Sequence, residues 1–320
     1  MHRLAGALVA LGLALAQPLA AETKWPDKPV KLVVGFTPGS ATDVTARLFA
    51  DKFAQAWGQP VVVENVAGNS GAIGTDRVAK AAPDGYTLLW AGNAAITILP
   101  SLQPLPFDPL KDLAPISTTL VMSSIFFVNN DLPVKSLADL IAYAKANPGK
   151  LSYGTPGVGT PQHVAGELFC HLAGIKMEAI PYRGANLTDV MSGTVPVGIQ
   201  NAGASLPFVR DGRVRGLAVT ALKRSPHMPD LPTVAESGFP GFEATSWFAL
   251  MGPAGLPQPV VDKVRAEALK VLADPEMQKK VAALGLDTVG STPQETRAAI
   301  AGDIPKWAKV IKDANIKPGH

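Results

Sequence analysis

Between residues 30 and 90, short β-branched runs alternate with helical stripes, and this alternation constrains the fold more than any other feature. Val30–Val34 stops at Gly35 and reads as a buried strand. Across Ala41–Trp57, the residues Val44, Leu48, Phe53 and Trp57 fall on one helical face. Residues 61–64 form a second strand, and Gly68-Asn69-Ser70-Gly71 leads into a helix over 72–82. The turn Pro83-Asp84-Gly85 then opens a strand over 86–90. Strands separated by helices in this way pair in parallel under a helical cover, so a mostly parallel sheet is expected.

A second round follows, with strands expected over 125–128, 151–154, 178–181, 195–199 and 216–220 and helices over 137–146, 161–173 and 186–191. A strand over 246–251 and amphipathic helices such as 260–272 end the chain. No internal repeat is visible. At 320 residues the chain exceeds a usual single domain. The expected class is α/β with two lobes and a cleft between them. Lobe 1 is assigned 22–124 and 243–320, and lobe 2 is assigned 125–242.

The first 21 residues read differently. His2 and Arg3 precede an apolar stretch that runs to Ala16, followed by Gln17-Pro18 and the small residues Ala20-Ala21. That layout is a secretory signal peptide, too short to span a bilayer, with cleavage expected after Ala20 or Ala21. Cys170 is the only cysteine, so no intrachain disulfide can form and stability rests on core burial. An exported chain of this kind suits a periplasm. Lys+Arg exceed Asp+Glu by three and no basic run occurs, which argues against nucleic acid as a partner.

Four junctions place glycines and hydroxyl or amide residues just before a helix: 35–40, 68–71, 154–160 and 182–185. A helix start exposes unpaired N–H groups and partial positive charge, and glycine lets a ligand approach that backbone. Loops converging from two lobes therefore make an anion site that needs no basic side chain. Phosphate and catalytic motifs are missing. No Gly-Lys-Ser/Thr ending occurs, 154–159 spaces its glycines wrongly for a dinucleotide, and Ala72 breaks the Gly-x-Ser-x-Gly elbow. His163, Glu167 and His171 share a helical face, but i to i+8 spans about 12 Å of rise, too far for one metal ion. His163 is expected near the cleft on a partly exposed face, and Cys170 as a packed, inert thiol. No metal or cofactor is expected.

The segments Trp25-Pro26-Asp27-Lys28-Pro29-Val30, Phe36-Thr37-Pro38-Gly39, Val63-Glu64-Asn65, Pro83-Asp84-Gly85-Tyr86, Pro181-Tyr182-Arg183-Gly184 and Leu231-Pro232-Thr233-Val234, with Asp43, resemble the substrate-binding proteins of tripartite tricarboxylate transporters, or Bug receptors. The resemblance implies a periplasmic-binding-protein fold of type II, two lobes joined by two crossing strands. It also implies a small organic carboxylate as ligand, membrane transporter subunits as partners, a monomer and no enzymatic activity. Dicarboxylates and aromatic acids are favoured. The other readings weighed are a receptor feeding a two-component sensor and an exported α/β enzyme.

Carried across by motif, the ligand-binding residues are expected at Phe36, Thr37, Pro38, Gly39, Ser40, Asp43, Asn69, Ser70, Gly71 and Asn93 in lobe 1. In lobe 2 they are expected at Tyr153, Gly154, Thr155, Thr160, His163, Tyr182, Arg183, Gly184, Gln200 and Asn201. Two positions depart from the family pattern: Ser40 replaces a usual glycine, and Gln200 stands where an aspartate is common. A cleft without that carboxylate is expected to favour a second carboxylate or a neutral ring over an ammonium group.

Overall fold

The structure, a computed structural model, describes residues 25–182, 186–225 and 228–317. The signal-peptide expectation, Arg183 and Gly184 lie outside these residues. In chain order the first lobe begins with β1 (Val30–Val34), α1 (Ala41–Trp57), β2 (Val61–Asn65), α2 (Ala72–Ala79), β3 (Thr87–Gly92) and β4 (Leu113–Met122). The second comprises β5 (Ser124–Val128), α3 (Leu137–Ala146), β6 (Ser152–Thr155), α4 (Pro161–Ala173), β7 (Glu178–Pro181), α5 (Leu187–Met191), β8 (Val197–Asn201), α6 (Ala202–Arg210) and β9 (Arg215–Val219). The chain then returns through β10 (Ser246–Pro253), α7 (Gln258–Ala273), α8 (Pro275–Ala283), β11 (Leu286–Thr288) and α9 (Pro293–Asp313).

Two sheets result, ordered β11-β4-β10-β3-β1-β2 and β7-β6-β8-β5-β9. Only Ser123 separates β4 from β5, and β10 pairs antiparallel beside β4 with Ser246 opposite Met122. The two connections between lobes therefore run side by side. This arrangement corrects the expectation of a mostly parallel sheet. Four strand pairings are parallel, and five are antiparallel. The strands on which the chain enters the second and first sheets, β5 and β10, run against the βαβ direction, whereas β4 runs with it.

Burial follows the sequence pattern. The apolar face of α1 sets Phe49 and Phe53 against the first sheet, with the Phe49 ring 4.6 Å from that of Trp90. In the second lobe, Phe126 of β5 and Phe169 of α4 pack at 5.2 Å. The last helix bridges the lobes. Its Trp307, Val310 and Ile311 share one hydrophobic cluster with Phe126 and Phe169, while Ile300 belongs to a cluster with Trp247 and Ala249 of β10.

Candidate functional site

A cavity of about 660 Å³ lies between the lobes at the ends of the sheets. Its walls begin where three helices begin. Ser40 caps α1, accepting the Asp43 amide at 3.3 Å. Thr160 caps α4 in the same way, accepting the His163 amide. Asn201 holds the cap position of α6 but makes no side-chain cap. The first amides of a helix have no intrahelical acceptor. Those of Ala41 and Thr42, of Gln162, and of Gly203 and Ala204 belong to residues that all line the cavity. Three positive helix ends, two from the second lobe and one from the first, thus meet in one space. Among the described residues, no lining side chain carries charge at neutral pH.

The Asn201 side chain is engaged elsewhere. Gln162 Nε2 donates to Asn201 Oδ1 at 2.5 Å and to Ser124 Oγ at 2.8 Å, and lies 3.4 Å from Ser246 Oγ. Ser124 begins β5 and Ser246 begins β10, so one amide from the first turn of α4 touches both connections between lobes. Gln162 is buried and lines the cavity floor. The start of α4 is thereby tied to both connections between the lobes.

Nine of the residues expected from sequence line this cavity: Phe36, Thr37, Pro38, Gly39, Ser40, Asn93, Thr160, Gln200 and Asn201. Asn93 is fixed by donation from its Nδ2 to the Thr245 carbonyl at 3.0 Å, and Gln200 Oε1 accepts the Asn201 amide at 3.1 Å. The other described ones are not among its lining residues. Asp43 lies beneath the loop, 2% exposed. Its carboxylate accepts from the Gly39 amide at 2.9 Å, Asn65 Nδ2 at 2.8 Å and Arg47 Nε at 3.1 Å. Asn65 Nδ2 also donates to the Phe36 carbonyl at 3.0 Å. Burial pushes the Asp43 carboxyl up, yet these donors outweigh it and hold it below the usual range. Asp43 thus shapes the loop from behind.

That placement gives a measurable expectation. Asp43→Asn replaces one accepting oxygen with a donor, stranding either the Gly39 amide and Arg47 Nε, which share Oδ2, or Asn65 Nδ2, which donates to Oδ1. The loop should lose about 1–2 kcal/mol of its preference for this shape. Calorimetry should report roughly tenfold weaker ligand binding, and the melting temperature should fall only slightly. Unchanged affinity would show that the loop shape does not depend on the carboxylate.

Asn69, Ser70 and Gly71 form a single turn at the lobe boundary, where Ser70 Oγ donates to the Val158 carbonyl of the second lobe at 3.3 Å. Gly71 leaves room for the Phe36 ring, since a Cβ there would stand 3.1 Å from it. In the second lobe Tyr153 is fully buried and donates to Glu167 at 2.5 Å. Burial, first, and the neighbouring Glu167 push its hydroxyl well above the ordinary range. Gly154 packs against Asn186, Thr155 is buried, and the Tyr182 hydroxyl donates to Asp189 at 2.5 Å.

His163 is a correction: it is 7% exposed, off the main cavity, and borders a smaller one of about 220 Å³ with Glu167 and Lys317. The face of α4 that carries it turns toward the C-terminal segment and away from the cleft. Cys170 is buried, and that burial raises its thiol to about 12. Among the described residues, no group of three or more metal-ligating side chains occurs.

Sequence reasoning missed Gln162, Ser246, Met122, Phe248, Leu284 and Leu286. The Ser123-Ser124 pair between two apolar runs marks the crossing, but it gives no sign of which side chains meet there.

Comparison with known proteins identifies this architecture. The model of the tripartite tricarboxylate transporter family receptor matches residues 45–316. Protein BugT of Bordetella pertussis is 38% identical over 310 residues, covering 95% of this chain and 94% of that protein. Among solved structures, that of periplasmic binding protein BugD is 34% identical with a TM-score of 0.80, covering 92% of this chain and 99% of that one. A Rhodopseudomonas palustris protein solved with adipate is 36% identical with a TM-score of 0.84, covering 92% and 100%. MatC of the same organism, solved with bound malate, is 28% identical with a TM-score of 0.80, covering 90% and 100%. The chain belongs to the receptor family of the tripartite tricarboxylate transporters, and as such it is a solute-binding protein of the two-lobed periplasmic type rather than an enzyme.

Proposed function

We propose that this receptor captures a small organic carboxylate in the cavity between its lobes and delivers it, as an exported monomer, to membrane subunits of a tripartite tricarboxylate-type transporter. One observation carries the reading: the starts of α1, α4 and α6, from both lobes, line one cavity. Backbone amides at helix starts favour a carboxylate without a basic side chain. A site divided between lobes binds best when the lobes close on it, which turns occupancy into a shape that a transporter can read. The adipate and malate bound by two relatives support the same ligand class. Signal-peptide removal near Ala20 or Ala21 would release the receptor into the periplasm. Among the described residues no helix is long and apolar enough to cross a membrane.

The test is a thermal-shift and calorimetric screen over mono-, di- and aromatic carboxylates, with product analysis alongside. A ligand at a hundredfold excess over its Kd should add about 2.7 kcal/mol to the native state, visible as a melting shift. It should be recovered unchanged. Turnover, or no shift with any carboxylate, would overturn the reading.

A further inference from the structure

The cavity has two chemically different sides. The amides and hydroxyls gather at the helix starts, while the first sheet contributes an apolar row across its cavity end. Leu286 of β11 pairs with Met122 of β4, and Met122 with Ser246 of β10. Two residues along β10, on the same face, Phe248 pairs with Gly92 of β3. Gly92 carries no side chain, and the Phe36 ring occupies that place, 3.4 Å from where a Cβ would stand. Leu284, at the end of α8, extends the row at the edge. Phe36, Met122, Phe248, Leu284 and Leu286 all line the cavity and belong to one hydrophobic cluster.

Among the described residues, polar positions interrupt this row only at Ser246, whose hydroxyl lies beside Gln162 Nε2 and Asn201 Oδ1. The row itself has no hydrogen-bonding side chain to offer a ligand. A hydroxyl or second carboxylate placed on it would lose water without gaining a partner. An aromatic ring or short alkyl chain placed there would gain by leaving water.

Building on the carboxylate reading of this same site, we infer that the preferred ligand is an amphipathic monocarboxylate. Its carboxylate meets the helix starts, and its ring or alkyl body lies on the Phe36–Met122–Phe248–Leu286 row. This resolves the choice between aromatic and dicarboxylic acids toward the former. The apolar body should strengthen binding roughly tenfold to hundredfold over an acid of similar size that carries hydroxyls.

Calorimetry on the native protein tests this with acetate, hexanoate, benzoate, phenylacetate, adipate, malate and citrate. Benzoate, phenylacetate or hexanoate should bind tightest, at least roughly tenfold above malate and citrate. Leu284→Asn, at a half-buried position outside the helices, should reduce the phenylacetate affinity by a larger factor than the acetate affinity, and an equal reduction of both would count against the row. A melting curve checks that the variant is folded, and the ligand ranking on the native protein needs no variant. Malate, citrate or adipate binding tightest would overturn the inference while leaving the carboxylate receptor intact, since the row would then face a polar group. No carboxylate binding at all would overturn both.

Discussion

Gly203→Ala should weaken ligand binding tenfold to a hundredfold while both lobes remain folded. Gly203 sits in the first turn of α6, and its backbone meets the other lobe directly. A Cβ there would stand 2.0 Å from the Leu284 carbonyl oxygen and 2.9 Å from the Leu284 carbonyl carbon. The opposing residue is also glycine: Gly285 has φ +67, and a Cβ on it would lie 2.8 Å from the Gly203 nitrogen. Two glycines thus let the lobes touch backbone to backbone at one corner of the cavity. Nearby, the Ala202 amide donates to the Ser123 carbonyl at 2.9 Å, at the residue between β4 and β5. A methyl group inserted there acts as a wedge beside the hinge, where a small displacement is magnified at the rim. Overpacking of this kind costs about 1–3 kcal/mol, which is roughly tenfold to a hundredfold in affinity. Gly203 also contributes a first-turn amide to the cavity, so the same change spoils closure and anion contact together. Calorimetry measures the loss, and small-angle scattering of the liganded variant should show a more open shape. Native affinity and a native scattering curve would show that the glycine contact is incidental.

Much of this architecture was legible because strands of a covered parallel sheet appear as short, mostly apolar runs, as in Val30–Val34, where Lys31 alone is exposed. The strand β4 was not legible. Its sequence LAPISTTLVM mixes a proline with three hydroxyl residues, and several of its polar groups pair with residues far along the chain. Ser117 Oγ donates to the Ser291 carbonyl, and the Thr118 amide donates to Thr296 Oγ1. The site divides along a similar line. Loops before helix starts announce themselves by glycine with serine or threonine, so the cavity-lining Thr37, Ser40 and Thr160 can be named from sequence. Gln162 cannot, because its partners lie 38, 39 and 84 positions away and nothing local distinguishes it from an ordinary first-turn glutamine. Tyr153 and His163 were misplaced for a related reason. Periodicity finds the faces of α4, but which face turns to the cleft depends on the crossing strands and on the packing of α9.

The burial of His163 leads to the second large expectation, a loss of stability in acid of which Asn at this position removes the histidine's share. Burial lowers its pKa from 6.5 to about 4, so the folded protein keeps the ring neutral. The neutral ring also holds the backbone beside it, because Nδ1 accepts the Gly159 amide at 3.2 Å. Gly159 has φ +73 and packs against Leu99 and Leu102 of the first lobe, so this bond holds a loop that joins the lobes and carries Thr160. Because the folded pKa lies below the unfolded one, the unfolded chain binds more protons between pH 6.5 and 4. His163 therefore gives no penalty above pH 6.5, and its penalty grows as pH falls toward 4, reaching about 3 kcal/mol. Other groups near it behave differently. Burial raises the Glu167 carboxyl, although the Tyr153 hydroxyl bond lowers it in part, so Glu167 opposes the His163 slope. Lys317 borders the same small cavity. The variant comparison removes these shared contributions. His163→Asn retains an acceptor near the Nδ1 position and cannot be protonated there. Urea unfolding from pH 7.5 to 4 should show the native protein losing about 3 kcal/mol more than the variant. Parallel curves would mean that the imidazole already has access to water and a proton in the folded state, and that the Gly159 bond does not require a neutral ring.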